Sequence, residues 1–267
     1  MASTTAPAAS RARIIAIVNQ KGGVGKTTTT INLAAALTLL GKKVLLVDMD
    51  PQGNASTGLA ISRKLRGVSI YNVLVDGTSI KDAIKQTSVE NLSIIPSHID
   101  LSAAELEIGG QAGRTTKLKN AMAPIARDYD YILIDCPPAL GLLTVNSLAA
   151  AHSAFVPLQC EFYALEGLSQ LLRTVEMAKS TINPDLVIEG VMLTMYDKRN
   201  RLSGQVAADV KKHLGRAVFK TIIPRNVRIA EAPSFGQPVM MYDPECAGAK
   251  AYMALGRELL RRHDKRK

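Results

Sequence analysis

Lys21-Gly22-Gly23-Val24-Gly25-Lys26-Thr27-Thr28 follows a short apolar run, Ile14-Ile15-Ala16-Ile17-Val18, and precedes an apolar-periodic segment from Ile31 to Leu40. The order reads as strand, tight loop and helix. Gly22, Gly23 and Gly25 let the backbone curl so that successive N–H groups point inward, and the positive end of the following helix adds to them. Such a loop is built to hold phosphate. In it Lys26 reaches the outer phosphates of a nucleotide, and the Thr27 hydroxyl ligates Mg²⁺. The general pattern has a glycine where this chain has Gln20, and a second lysine, Lys21, stands at the start of the loop.

Two further apolar runs end in acids. Lys43-Val44-Leu45-Leu46-Val47-Asp48 leads into Asp48-Met49-Asp50-Pro51-Gln52-Gly53-Asn54, and Tyr131-Ile132-Leu133-Ile134-Asp135 leads into Cys136-Pro137-Pro138. In an open parallel sheet ligands sit beyond the carboxyl ends of the strands, which brings these acids to the edge that carries the loop. Asp135 then holds Mg²⁺, through a bound water, opposite Thr27. Asp50 either orients the attacking water or completes the Mg²⁺ shell through water, while Asp48 is better read as a cap for the turn that follows. His98 and Glu105 read as ordinary polar residues of the scaffold, and Cys136 as a small buried hydrophobe.

Elsewhere the patterns predict helices over 68–86, broken at Asp76-Gly77, and over 101–108, 115–127, 161–182 and 203–214. Strands are expected at 91–96, 153–158, 186–195 and 219–223. Ala247 to Arg262 places Tyr252, Leu255, Leu259 and Leu260 on one helical face, with Gly256 as an interruption. This stripe either covers the sheet or lies on a membrane; the residues after it offer no large apolar group to insert, so the sheet is expected. The fold class is α/β: one domain at 13–262, between a disordered tail at 1–12 and a basic tail at 263–267.

The chain has 267 residues and no tryptophan, so its core must be aliphatic. Three cysteines without C-x-x-C spacing argue against a disulfide framework or a zinc site and for a reducing, cytoplasmic setting. The formal charge of +10 is concentrated: between Tyr196 and Ala230 nine Lys or Arg face two acids. An anionic polymer or surface is the natural partner for such a patch.

The segments KGGVGKTTT, VDMDPQGN, IDCPP, FYALEGL and IPRNVRIAEAPSFGQP together resemble the ParA/MinD family of ATPases with a deviant Walker A loop, in particular its chromosomal ParA (Soj) branch. The resemblance runs from Ile14 to about Arg261. It implies a P-loop domain with a mostly parallel twisted sheet and helices on both faces, with ATP and Mg²⁺ as ligands. It further implies that Gly22 to Thr28 cradle the phosphates, that Pro224 and Asn226 border the adenine, and that Asp50 is needed for hydrolysis. Lys21 of each subunit would contact the phosphates of the other in an ATP-bridged homodimer. Arg199 and Arg228 resemble DNA-contacting arginines, with Lys198 and Arg201 beside the first. The implied cycle is nonspecific binding of double-stranded nucleoid DNA by the ATP dimer, then release when a ParB-type centromere-binding partner stimulates a slow hydrolysis. A MinD-like ATPase on a membrane surface, positioning division machinery, is the alternative; stable membrane insertion is not expected.

Overall fold

The apolar runs form the middle of one sheet. The computed structural model describes residues 12–265, and among them the strands pair in the order β3-β4-β2-β5-β1-β6-β7. Their bounds are β1 Arg13–Ile17, β2 Val44–Asp48, β3 Lys85–Gln86, β4 Leu92–Ile95, β5 Tyr131–Asp135, β6 Ser153–Gln159 and β7 Val187–Thr194. Only β3 runs antiparallel, against β4. Ile17, Asp135 and Asp48 share one row across β1, β5 and β2, so the two acids finish adjacent strands at one level.

Alternation along each strand separates two cores. Ile15, Ile17, Leu46 and Leu133 pack on one face with Leu33 and Leu37 of helix α1 (Lys26–Leu39). Ala16, Leu45, Val47, Ile132 and Ile134 pack on the other with Leu171 and Val175 of the helix Ala164–Thr181. The last helix, Ala247–Asp264, lies on α1 and buries Tyr252, Leu255 and Leu259. Gly256 marks the close approach: a Cβ there would stand 3.2 Å from the Ala36 Cβ. The apolar stripe is therefore spent on the sheet side, and among the described residues no helix is long and apolar enough to cross a membrane.

Several expectations are corrected. The segment 68–86 holds two short helices, Ile70–Leu74 and Ile80–Ala83, and then β3, whose two residues are too few to show a period. The helix expected over 115–127 is confined to Lys117–Met122, and Pro124 turns the chain into a 3₁₀ turn, Ala123–Ile125. Phe219 to Ile223 is not a strand. Phe219 N–H reaches Val191 O at 2.8 Å and Ile223 N–H reaches Leu193 O at 2.9 Å, but the Glu258 carboxylate takes the N–H groups of Lys220 and Thr221, both at 2.8 Å. A side chain has interrupted the ladder. At the ends, Ala12 is already buried and His263 is a buried residue of the last helix, so the ordered chain passes both expected boundaries. The expected tail up to Arg11, and Arg266 and Lys267, lie outside the described residues.

Candidate nucleotide-binding site

The loop between β1 and α1 turns through Gly23 (φ +75°) and Gly25 (φ +88°), left-handed positions that favour glycine. Gly25 leads into α1, where no side chain caps the helix and no acid occupies the first turn. An uncapped N-terminus leaves backbone donors for an anion. The loop is anchored from outside. Asn19 accepts the Lys21 N–H at 3.0 Å and donates to Pro157 O at 2.7 Å, and the Thr194 hydroxyl at the end of β7 donates to Val24 O at 2.9 Å.

Lys26 is buried, and its ammonium donates to Lys21 O at 3.0 Å. Burial pulls its pKa down, and the charge of Asp135 opposes that most. Asp135 is fully buried at the end of β5, and its Oδ1 accepts from the Thr30 hydroxyl at 2.9 Å. Its Oδ2 has no hydrogen-bond partner among the described residues. Burial first, and the neighbouring Asp48 second, push this carboxyl above its usual range, against the hydroxyls of Thr27 and Thr30. An orphaned buried carboxylate oxygen beside a threonine hydroxyl and an ammonium suits a cation carried in with an anion. Among the described residues no group of three or more His, Cys, Asp or Glu could hold a metal alone. Thr27 and Asp135 are the residues here that fit Mg²⁺, and they would share it with oxygens of a bound anion.

Asp50 is nearly buried beside them, and its Oδ1 accepts the Gln52 N–H at 3.0 Å. Asp48 serves the cap read from the sequence: its Oδ2 accepts the Ser56 N–H at 2.8 Å and the Ser56 hydroxyl at 2.7 Å, within helix α2 (Asn54–Gly58). Glu105 is likewise structural, accepting the Leu143 N–H at 3.1 Å, and burial pushes the Cys136 thiol up to about 12.

Beside Gly25 and Thr28 opens a cavity of about 320 Å³, mostly apolar, lined by Thr194, Pro224, Asn226, Ile229 and Tyr252 among others. Its size and walls suit a flat heterocycle. Asn226, which lines this cavity, caps the short helix Val227–Glu231 through its Oδ1, 3.4 Å from the Ile229 N–H. Sequence reading missed Thr30, Thr194 and Tyr252. Thr30 was within reach, one helical turn beyond Thr27; the other two come from distant elements with no motif of their own. It also missed the partner of Lys21, whose ammonium forms an ion pair with Glu161 of the same chain.

The AAA domain family matches residues 12–188. The chromosome partitioning protein ParA of Caulobacter vibrioides is 54% identical over 252 residues, 94% of each chain. The chain belongs to the ParA/Soj family. The sporulation initiation inhibitor protein Soj of Bacillus subtilis is also 54% identical, over 92% of this chain and 98% of its own. Among solved structures, one named as a cobyrinic acid a,c-diamide synthase from Mycobacterium smegmatis, with bound ADP and magnesium, superposes with a TM-score of 0.84 at 39% identity, covering 96% of this chain and 97% of its own.

For a ParA/Soj ATPase the basic segment is the second surface of interest. Lys198 and Arg199 lie exposed in the loop after β7, and Arg201 opens the helix Arg201–Leu214, capped by Asn200. Arg199 is clamped on Asp197 at 2.9 Å, and Arg199 together with Arg225 holds the Asp197 carboxyl down at about 2. Arg225 joins the cluster because its N–H bonds to Tyr196 O at 3.0 Å. Arg228 pairs with Glu231 at 2.9 Å and Asp243 at 3.3 Å. These four basic residues are thus at the surface, but the two arginines singled out are each held by carboxylates of the same chain.

Proposed function

We propose that this chain is an ATP-dependent switch that binds DNA as a homodimer and is released by hydrolysis. ATP binds with its triphosphate on Gly22 to Thr28 and its base against Pro224 and Asn226. Lys26 neutralises the outer phosphates, and Thr27 with Asp135 holds Mg²⁺, which supplies charge neutralisation for the transferred phosphoryl group. Asp50 orients the attacking water. Lys21 leaves Glu161 and turns to the phosphates of the partner copy, exchanging one anion for a more highly charged one. Arg199 and Arg228 exchange their carboxylates for DNA phosphates in the same way, with Lys198 and Arg201 adding sequence-independent attraction. A ParB-type partner raises the hydrolysis rate and so ends the DNA-bound state at the nucleoid.

The observation that carries this reading is the buried Asp135 with an unpartnered oxygen, bonded through the other to Thr30 and within electrostatic reach of Lys26 and Thr27 at the foot of an uncapped helix. The apolar stripe covered by α1 weighs against a membrane-surface role. The test is co-sedimentation with DNA and with anionic vesicles, in the presence of ATP, of ADP and of neither. Retention on DNA with ATP alone is expected. Equal retention in all three states, or pelleting with vesicles only, would refute the switch.

A further inference from the structure

Arg66 ends the four-residue helix Arg63–Arg66 and is only 3% exposed. A buried guanidinium ordinarily meets a carboxylate. Here every hydrogen bond it makes among the described residues goes to a neutral oxygen. Nε donates to Ile61 O at 3.3 Å, Nη1 to Ser97 O at 3.2 Å, and Nη2 to Gly53 O at 3.1 Å and to the Thr57 hydroxyl at 2.8 Å.

Two of these acceptors follow Asp50 closely: Gly53 ends the turn after it, and Thr57 lies in helix α2. Gly53 N–H donates back to Asp50 O at 2.8 Å, so two hydrogen bonds connect the guanidinium to the backbone of Asp50. Gly53 has φ +64°, and a Cβ there would stand 2.2 Å from Arg66 Nη1. The glycine leaves the room that the arginine fills. On the inner side Ser97, which accepts from Nη1, donates its own N–H to the Ser56 hydroxyl oxygen at 3.1 Å, and Ser56 donates to Asp48. Asp48 Oδ1 in turn accepts the Asp50 N–H at 3.3 Å. Burial lowers the pKa of Arg66, and the Asp48 charge is the largest influence against it. The two buried charges are therefore opposite anchors of one ring, and the turn Asp48 to Gly53 is strung between them.

We propose that Arg66 is a positioning residue for hydrolysis: it fixes the Asp50–Gly53 turn, and with it the direction of the Asp50 carboxylate. This rests on the reading of Asp50 given above. A lysine cannot substitute, because one ammonium cannot span acceptors spread around a planar fork.

The test is single-turnover hydrolysis of Mg·ATP together with titration of a fluorescent ATP analogue. Arg66→Lys is expected to slow hydrolysis about tenfold or more while ATP affinity stays within about twofold, since a misdirected group costs rate rather than binding. Thr57→Val, which removes one acceptor, is expected to slow it about threefold. On an Asp50→Ala background Arg66→Lys should add nothing. Native turnover in Arg66→Lys with Asp50→Ala inactive overturns the positioning role and leaves the Asp50 reading intact. Native turnover in Asp50→Ala overturns that reading and this inference with it. Loss of ATP affinity in step with the rate in both variants also overturns it, as does a further fall in the double variant. Should Arg66→Lys not fold, Thr57→Val on the two backgrounds decides by the same criteria.

Discussion

Two buried carboxylates sit at opposite ends of the same sheet. Asp135 closes β5 at the nucleotide edge with one oxygen unpartnered, and its pKa is pushed up. Glu189 lies near the start of β7 at the other edge. It pairs with Arg13 at 2.9 Å, stands 3.1 Å from His263 Nε2, and accepts from the Ser153 hydroxyl at 2.7 Å. Burial raises its pKa, but the favourable partners, His263 foremost, hold it down at about 2. Burial is shared, so burial does not separate the functional acid from the structural one. What separates the acid proposed to hold Mg²⁺ from the structural one is whether the fold itself supplies the compensation.

The sharpest way to break this contrast is Glu189→Ala. It takes the anion from Arg13 and unfastens the Nε2 side of His263, whose Nδ1 also meets the Tyr131 hydroxyl at 2.9 Å. A loss of about 3–5 kcal/mol in urea unfolding is expected, as for removal of one partner from a buried ion pair, with ATP affinity of the folded protein unchanged. A change in ATP affinity would mean that the two edges are not independent.

Lys26→Ala tests the other edge. ATP affinity should fall about a hundredfold, roughly 3 kcal/mol for a charged hydrogen bond to phosphate, in a fluorescent nucleotide titration. An unchanged affinity would remove the phosphate role.

Asp135→Asn should act in opposite directions on the two states. Without ligand it removes the cost of burying an ionisable carboxyl and gains about 1 kcal/mol. With nucleotide, the Mg²⁺-dependent rise in the thermal midpoint should vanish. The pH dependence follows the same signs. The folded pKa of Asp135 lies above its unfolded value, so the ligand-free protein gains stability from this group as pH falls through the folded pKa. Glu189 has the depressed value, so its contribution is complete above about 4.5 and is lost as pH falls from there to about 2. Unfolding free energy measured from pH 8 to pH 3 should therefore rise before it falls, and a monotonic fall would contradict the assignment of Asp135.

The smallest expected effect belongs to the exposed pairs. Arg199→Glu should weaken DNA binding about threefold and flatten its salt dependence, leaving ATP affinity alone. Undiminished DNA affinity would remove this arginine from the interface.

The contrast also explains how far the sequence could be read. The loop, Asp50 and Asp135 were legible because each follows an apolar strand and carries a local motif, and parallel strands deliver their ends to one edge. The compensation was not legible. Arg13, Ser153, Glu189 and His263 meet across a span of 250 residues with no pattern among them, and Arg66 finds its acceptors in three separate segments. The false strand at Phe219–Ile223 failed for the same reason, since Glu258 lies 35 residues beyond it.

Glu258 has one more consequence. The segment covering β7 donates to the Val191 and Leu193 carbonyls yet has two of its own N–H groups taken by a carboxylate, while the opposite border of the sheet ends in the two-residue β3. Neither margin offers the row of open donors that another chain would need for strand addition. Amyloid-like pairing of this ATPase through its sheet is thereby disfavoured, and contacts with other chains are left to its folded surfaces.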